Sequence, residues 1–301
     1  MLRYHRASWE SEFKWSSRWQ GLTSKYKLSH YVAFAIGTSL AAYGIAMVVD
    51  VEKEKKRRAD WLNITKNKLF KSQANASSPG MLIIQKNSSL REKWMSLKES
   101  QRTMIGIVGL NSMVMIAWRV PGLERFMRRY FLHSINSHPI TMLTSTFSHR
   151  APLHFGFNML ALWSFGQLLH DRFGREHFIA FYLTSGLAAS MGSHAYKFCR
   201  SDYANSLGAS GALFGVAGAC AHIPNIKISL IFLPFQSFPL EHALPVIMAF
   251  DLYGLIRGWK AFDHAAHLSG ALFGYSFYSI SSKKIWANRR SILERFHYPV
   301  R

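Results

Sequence analysis

The chain has little of what marks a small secreted domain, a metallohydrolase or a soluble acidic protein. Only two cysteines, Cys199 and Cys220, occur in 301 residues, too few for a disulfide framework. Acids are scarce: 16 Asp and Glu stand against 37 Lys and Arg, for a formal net charge of +21. No H-E-x-x-H pair occurs, which argues against that zinc-hydrolase chemistry, and no paired aspartates lie in separate apolar runs. No internal repeat is evident. The first thirty residues are basic, with Arg3, Arg6, Lys14, Arg18, Lys25 and Lys27, yet include Glu10 and Glu12. They match an organelle-targeting segment in part and show no secretory pattern.

Charge is also absent from long stretches, and this absence is the most informative. The runs Leu28 to Val49, Thr103 to Trp118, Ala151 to His170, His177 to Tyr196, Tyr203 to Ile226 and His264 to Ser282 carry no Lys, Arg, Asp or Glu, and His242 to Ile256 holds only Asp251. Crossing hydrocarbon takes about 20 apolar residues, with about 17 to 25 tolerated. A helix buried in a soluble protein shows one polar face, and these runs show none. The reading is an all-α polytopic membrane protein with one N-terminal helix, a long polar gap and six further helices, a 1+6 layout. A large soluble helical protein is the weaker alternative.

The expected organisation follows from the charge pattern. Residues 1–27 form a basic N-terminal segment, 28–50 a first transmembrane helix, and 51–101 a basic polar linker with interfacial helices, broken at "NASSPG" (75–80). Residues 102–282 form the six-helix core and 283–301 a basic tail. "WRVPGLERFMRRYFLHS", from Trp118, mixes aromatics with arginines, as suits a segment at the membrane interface. "LIFLPFQSFPLEHALP", with Pro234, Pro239 and Pro245, reads as a bent connection. Lys53, Lys55, Lys56, Arg57 and Arg58 follow the first run, and Lys283, Lys284, Arg289 and Arg290 the last. Such clusters suit anionic lipids and also serve as topology anchors. A nucleic-acid partner is not expected.

Polar residues inside apolar runs are costly and default to function. His154 and Asn158 open the second core helix, Ser210 the fourth and His267 the sixth. These three helices run in the same direction, so the four residues share one depth near one side of the bilayer. Ser210 is a candidate nucleophile with His267 as its base. His154 and Asn158, spaced i, i+4, face one way and suit stabilisation of an oxyanion. Gly211 with Gly215, and Gly270 with Gly274, have the spacing that lets helix backbones approach closely. Phe214, one turn after Ser210, is placed to pack on the His267 ring. No carboxylate is expected to orient His267, since Asp263 lies outside the run, so a dyad is expected rather than a triad. His149 and His264 are supporting or interface residues. A His149/His154/His264/His267 metal site is the weaker alternative, and neither metal nor cofactor is expected.

Three separated motifs, "STFSHRAPLHFGFNMLALWSFG" (145–166), "GASGALFG" (208–215) and "HAAHLSGALFG" (264–274), together resemble the rhomboid intramembrane serine proteases. The extra N-terminal run, "QRTMIGIVGLN" and "WRVPGLERFMRRYF" are similar to the mitochondrial presenilin-associated rhomboid-like branch. The resemblance implies Ser210 as nucleophile, His267 as general base, His154 and Asn158 as oxyanion stabilisers and His149 as a supporting residue. Gly208, Gly211, Phe214, Gly270 and Gly274 belong to the matching motifs. It further implies a multi-pass protein of the mitochondrial inner membrane that cleaves single-pass membrane proteins in or near their transmembrane helix. Such members are tied to signal peptide processing, mitophagy and apoptosis and can associate with other inner-membrane proteins. The loop Arg257 to Asp263 would be a lid and the fifth core helix a gate. A catalytically inactive rhomboid-like binding or chaperone protein is one alternative, and an ion-coupled transporter using the intramembrane His and Asp251 another.

Overall fold

A computed structural model describes residues 26–74, 90–230 and 233–300. Most of the basic segment 1–27 and the break at 75–80 lie outside these residues. The first helix, α1 (Leu28–Ala74), does not stop where its apolar run ends. It continues through the basic stretch from Lys53 to Arg58, so the linker expected after residue 50 begins as helix. No Pro or Gly interrupts residues 50–74, and i, i+4 pairing such as Glu54 with Arg58 (3.0 Å) supports that extension.

A short α2 (Leu90–Ser96) precedes α3 (Glu99–Ala117). The chain then bends through a 3-10 turn at Pro121–Leu123 into α4 (Glu124–Tyr130), where Pro121 lacks the N–H that would continue the helix. A single turn, α5 (Thr141–Thr144), leads to α6 (Pro152–Ala161), which has Pro152 in its first turn. A π-helical segment, Leu162–Gly166, joins α6 to α7 (Gln167–Phe173). Gly174, at φ +79°, makes the turn into α8 (Arg175–Cys199).

The run from Tyr203 to Ile226 is not one span. It holds α9 (Ser210–Cys220), eleven residues and so about 16 Å long. Residues 203–209 approach it as irregular chain, and Gly208 takes φ +126°, where a side chain would be strained. The bent connection expected after it is instead a hairpin, β1 (Lys227–Leu230) with β2 (Leu233–Pro239), antiparallel. Ile228 lies opposite Phe238 in the ladder, a β-branched and aromatic pair that suits a strand, and Pro239 sits at the strand end, where its missing N–H costs no ladder bond. α10 (Leu240–Arg257) ends at Gly258 in the left-handed conformation. α11 (His264–Ser279) then passes through a π-helical segment, Ile280–Trp286, into α12 (Arg289–Arg295). The basic tail is therefore helical, and it is anchored: Arg289 pairs with Asp50 (2.6 Å) and Arg290 with Glu54 (2.6 Å) on α1.

By length and apolarity together, Leu28–Lys66 of α1 qualifies as a span alone, and α3 with Pro121–Tyr130 qualifies as a pair bent by 94°. The other runs fold as helices that are shorter or more polar. The outer faces are nonetheless apolar: Ile36, Leu40 and Ile45 on α1, Leu153 on α6 and Ile256 on α10 are all more than half exposed. In water that much exposed apolar surface would drive association, and in lipid it is matched.

The core sits around α9, packed between α8 and α11. Here the glycines do what their spacing implied. A Cβ on Gly270 would fall on the carbonyl oxygen of Gly211, and one on Gly274 on that of Gly215. The two backbones thus touch, as small residues allow in a membrane, and α9 is held level with the start of α11.

Candidate active site

The short length of α9 decides where Ser210 lies. As its first residue, Ser210 stands at the inner end of the irregular 203–209 chain, half-buried within the helix cluster. His267 is one turn into α11, which Asp263 caps by accepting from the Ala266 N–H at 3.1 Å. The Gly211–Gly270 contact brings the two helices together at this level, and His267 Nε2 lies 3.0 Å from Ser210 Oγ.

The expectation of an unoriented dyad is corrected. Asp251 Oδ1, on α10, is 3.1 Å from His267 Nδ1 and 2.5 Å from His264 Nδ1. Asp251, His264 and His267 are 3%, 2% and 8% exposed. A buried carboxylate oxygen only accepts, so both imidazoles donate Nδ1–H to it. That leaves Nε2 of His267 as the acceptor for the Ser210 hydroxyl, the tautomer a general base needs. In the sequence Asp251 is the lone charge of its run, sixteen positions before His267 and on a different element. The rule that an intramembrane acid needs a named partner, applied to the histidines opening the next helix, was the signal that could have found it. Gly254, one turn from Asp251, makes the contact possible: a Cβ there would lie 2.5 Å from His264 Nε2.

Phe214 stacks on the His267 ring, 4.3 Å between centroids at 17°. It faces the ring while Asp251 holds its edge, so orientation and rotation are both fixed.

The other residues occupy distinct places. His154, half-buried, packs on the backbone of Gly208, where a Cβ would come within 2.5 Å of its Cε1. Asn158, 5% exposed, donates from Nδ2 to the His154 carbonyl at 2.7 Å. That bond uses one of the two amide N–H groups and ties the side chain to the α6 backbone. His149, fully buried, accepts at Nε2 from the Ala209 N–H at 3.3 Å, and burial and then the nearby His154 push its imidazole down to about 3. As a neutral ring it holds the chain immediately before Ser210.

Beneath Ser210 lies a cavity of about 30 Å³, walled by Ser145, Thr146, Ser190, Ser193, Ser206 and Asp263. Its volume and polar wall suit one water molecule. Asp263 accepts from Ser193 (2.7 Å), Ser206 (2.5 Å) and Lys197 (2.8 Å). Burial alone would raise its carboxyl, but Lys197 and the hydroxyl donors outweigh it and hold the group well below the usual carboxylate range. Beyond Lys197, His133 bonds Thr141 Oγ1 (2.8 Å) and His194 Nδ1 (3.2 Å), and Tyr31 of α1 packs on His194 at 3.9 Å between ring centroids. Apart from Asp263, none of this cluster is marked by the sequence, since its members come from five distant segments.

Among known proteins, residues 136–284 match the Rhomboid domain, a stretch that includes every residue of the site. The chain is 38% identical over 279 residues to the presenilin-associated rhomboid-like protein, mitochondrial, of Mus musculus, covering 88% of this chain and 70% of the relative. It is 37% identical to the Homo sapiens protein of that name, over 88% of this chain and 69% of the relative. Rhomboid protein 1, mitochondrial, of Saccharomyces cerevisiae is 36% identical over 193 residues, covering 62% of this chain and 56% of the relative. A serine at the head of a short helix, the matched domain around it and identity along most of the chain lead to one conclusion: the chain belongs to the rhomboid family and is a membrane protein of mitochondria.

Proposed function

We propose that the chain is an intramembrane serine endopeptidase of the mitochondrial inner membrane, a multi-pass protein with one helix preceding a six-helix catalytic core. Its substrates are single-pass membrane proteins, cut in or near their transmembrane helix. The observation that carries the reading is the continuous chain Asp251–His267–Ser210, with Ser210 Oγ 3.0 Å from Nε2. Individually, an intramembrane serine is most often a packing residue; in this chain its hydroxyl meets an unprotonated ring nitrogen whose other nitrogen is fixed by a carboxylate.

In the reaction, a locally extended substrate strand presents its carbonyl carbon to Ser210 Oγ. His267 Nε2 takes the serine proton as the new C–O bond forms, and the carbonyl π pair becomes the oxyanion. The His154 ring, the second amide N–H of Asn158 and the Ser210 N–H, at the start of α9, supply donors to that oxyanion, each worth about 3 kcal/mol of transition-state stabilisation. The tetrahedral intermediate collapses, the C–N bond breaks, and His267 returns the proton to the leaving amine. Water admitted through the small polar cavity attacks the acyl-enzyme, again with His267 as base, and Ser210 is released. Asp251 keeps the ring in the competent tautomer and stabilises the imidazolium that forms twice per turnover.

Residues 257–262 are exposed and end at the helix carrying His267, with Phe262 6.3 Å from the His267 ring; they form the lid. The gate is α10, whose movement would also carry Asp251 away from His267, so an open gate is an uncoupled site. A cross-link between α10 and α6 that blocks cleavage supports the gate, and unchanged turnover removes it. The reading itself is tested by reconstituting the full chain with a panel of single-pass substrates. The wild type cleaves, and Ser210→Ala and His267→Ala each abolish cleavage.

A further inference from the structure

Helices α1, α3 and α8 enclose a cleft of about 790 Å³ that shares no lining residue with the cavity at Ser210. Its walls have helical spacing. On α1 the lining positions are Lys53, Lys56, Arg57 and Asp60, an i, i+3, i+4, i+7 face. On α3 they begin with Glu99 and Arg102 and continue through Gly106, Ile107 and Leu110. The α3 wall therefore changes from charged to apolar over about 12 Å of helix, and Ile179 of α8 extends the apolar part. Trp94 stands at the charged end, as aromatics do at a membrane interface.

Five cations and two carboxylates line the cleft. Two cations are occupied: Lys53 pairs with Glu176, and Arg175 with Glu99 at 2.9 Å. Lys56, Arg57 and Arg102 have no carboxylate at ion-pair distance among the described residues. Arg102 touches only Met95 Sδ, at 3.6 Å, and its Nε is buried with no partner. A buried guanidinium N–H without an acceptor is a costly arrangement, and Arg102 lines a cleft whose wall is polar at one end and apolar at the other.

We infer that this cleft binds a phospholipid with an anionic headgroup. The phosphate lies against Arg102, Arg57 and Lys56, where a guanidinium can offer two parallel N–H donors, and the acyl chains run along Gly106, Ile107, Leu110 and Ile179. Neutral phosphatidylcholine carries its own cation and gains little from three unpaired ones, so the site selects net negative lipid. Bound there, the lipid ties the basic extension of α1 to the ends of α3 and α8. The inference does not depend on peptidase activity, and its test reads binding alone.

The test uses the full chain, purified in detergent and stripped of lipid, and titrated with dioleoyl phosphatidylglycerol, dioleoyl phosphatidylcholine or inorganic phosphate. Bound lipid is counted by native mass spectrometry. One phosphatidylglycerol is held preferentially by the wild type, and phosphate at equal concentration does not displace it. Near a membrane each Lys or Arg contributes about a fivefold factor in affinity, so Arg57→Gln with Arg102→Gln weakens binding about 25-fold. Arg125→Gln, outside the cleft, leaves it unchanged. Gly106→Phe is the variant that spares the charges: a Cβ there meets nothing within 4 Å, so the fold tolerates it while the ring occupies the acyl path and binding falls. Phosphatidylcholine held as firmly as phosphatidylglycerol, displacement by phosphate, or wild-type binding in the double variant or in Gly106→Phe would each overturn the inference.

Discussion

Replacing Asp251 by Asn tests the hydrogen-bonded chain at its least anticipated member. A single oxygen, Oδ1, takes both imidazole donors, at 3.1 Å from His267 and 2.5 Å from His264. Asn can keep its carbonyl oxygen in that place, so the tautomer of His267 survives and only the negative charge is lost. A hydrogen bond to a charged group is worth about 1.5–3 kcal/mol, and this one matters most when His267 is an imidazolium. Turnover should therefore fall roughly 10- to 150-fold, in kcat with KM nearly unchanged, because Asp251 has no path to the substrate except through His267. Asp251→Ala removes the acceptor and frees the ring, so its loss should exceed that of Asp251→Asn, whose own loss would deepen toward roughly 10⁴-fold if the Asn amide turned its NH2 to the ring and imposed the wrong tautomer. The assay is cleavage of a single-pass substrate in proteoliposomes, alongside the labelling rate of Ser210 by a fluorophosphonate. The labelling rate must fall with kcat. Wild-type labelling in Asp251→Asn, or a defect confined to KM, would refute the role of Asp251.

Other expectations follow from the same contacts. Gly274→Ala forces a methyl onto the Gly215 carbonyl, and such overpacking costs about 1–3 kcal/mol, read as a lower thermal midpoint in detergent together with slower Ser210 labelling. Phe214→Ala removes the ring stacked on His267, a pair worth about 0.5–1.5 kcal/mol beyond its area, so kcat should fall several-fold while the fold persists. The loop residue His133 gives a pH dependence. Burial, then the charges of His194 and Lys197, push its imidazole from 6.5 down to about 3, with Asp263 opposing. Between those values the unfolded chain binds a proton that the folded one refuses. Stability is thus full above pH 6.5 and declines by about 1.4 kcal/mol per pH unit below it. His133→Asn should make the melting profile between pH 7 and pH 5 flatter than that of the wild type, and an identical slope would exclude His133 as a source.

Most of the helices and the meeting of Ser210 with His267 were legible because both rest on one-dimensional signals. Charge-free runs mark where helix is stable in lipid, and counting their directions places Ser210 level with His267. The glycine spacing foretold the backbone contact. Asp251 was not legible in the same way, since its relation to His267 depends on how α10 packs against α11, helped by the missing Cβ at Gly254. The short α9 was hidden because apolar loop residues on either side extend its run, and hydropathy does not distinguish Gly208 in a strained turn from Gly211 in a helix. Asn158 shows what spacing leaves open: i, i+4 placement puts it on the His154 face, and the same spacing lets one of its amide N–H groups bond the backbone carbonyl of His154. The continuation of α1 past its apolar run reflects helix propensity in charged residues, which an apolarity count passes over.

The central claim is that Ser210 is a nucleophile activated by His267. The most direct measurement is cleavage of a single-pass membrane substrate by the full chain in proteoliposomes, wild type beside Ser210→Ala, with the acyl-enzyme trapped on Ser210 and located by peptide mass. The account predicts product and a covalent adduct on Ser210 in the wild type, and neither in Ser210→Ala. Cleavage that persists in Ser210→Ala would contradict it.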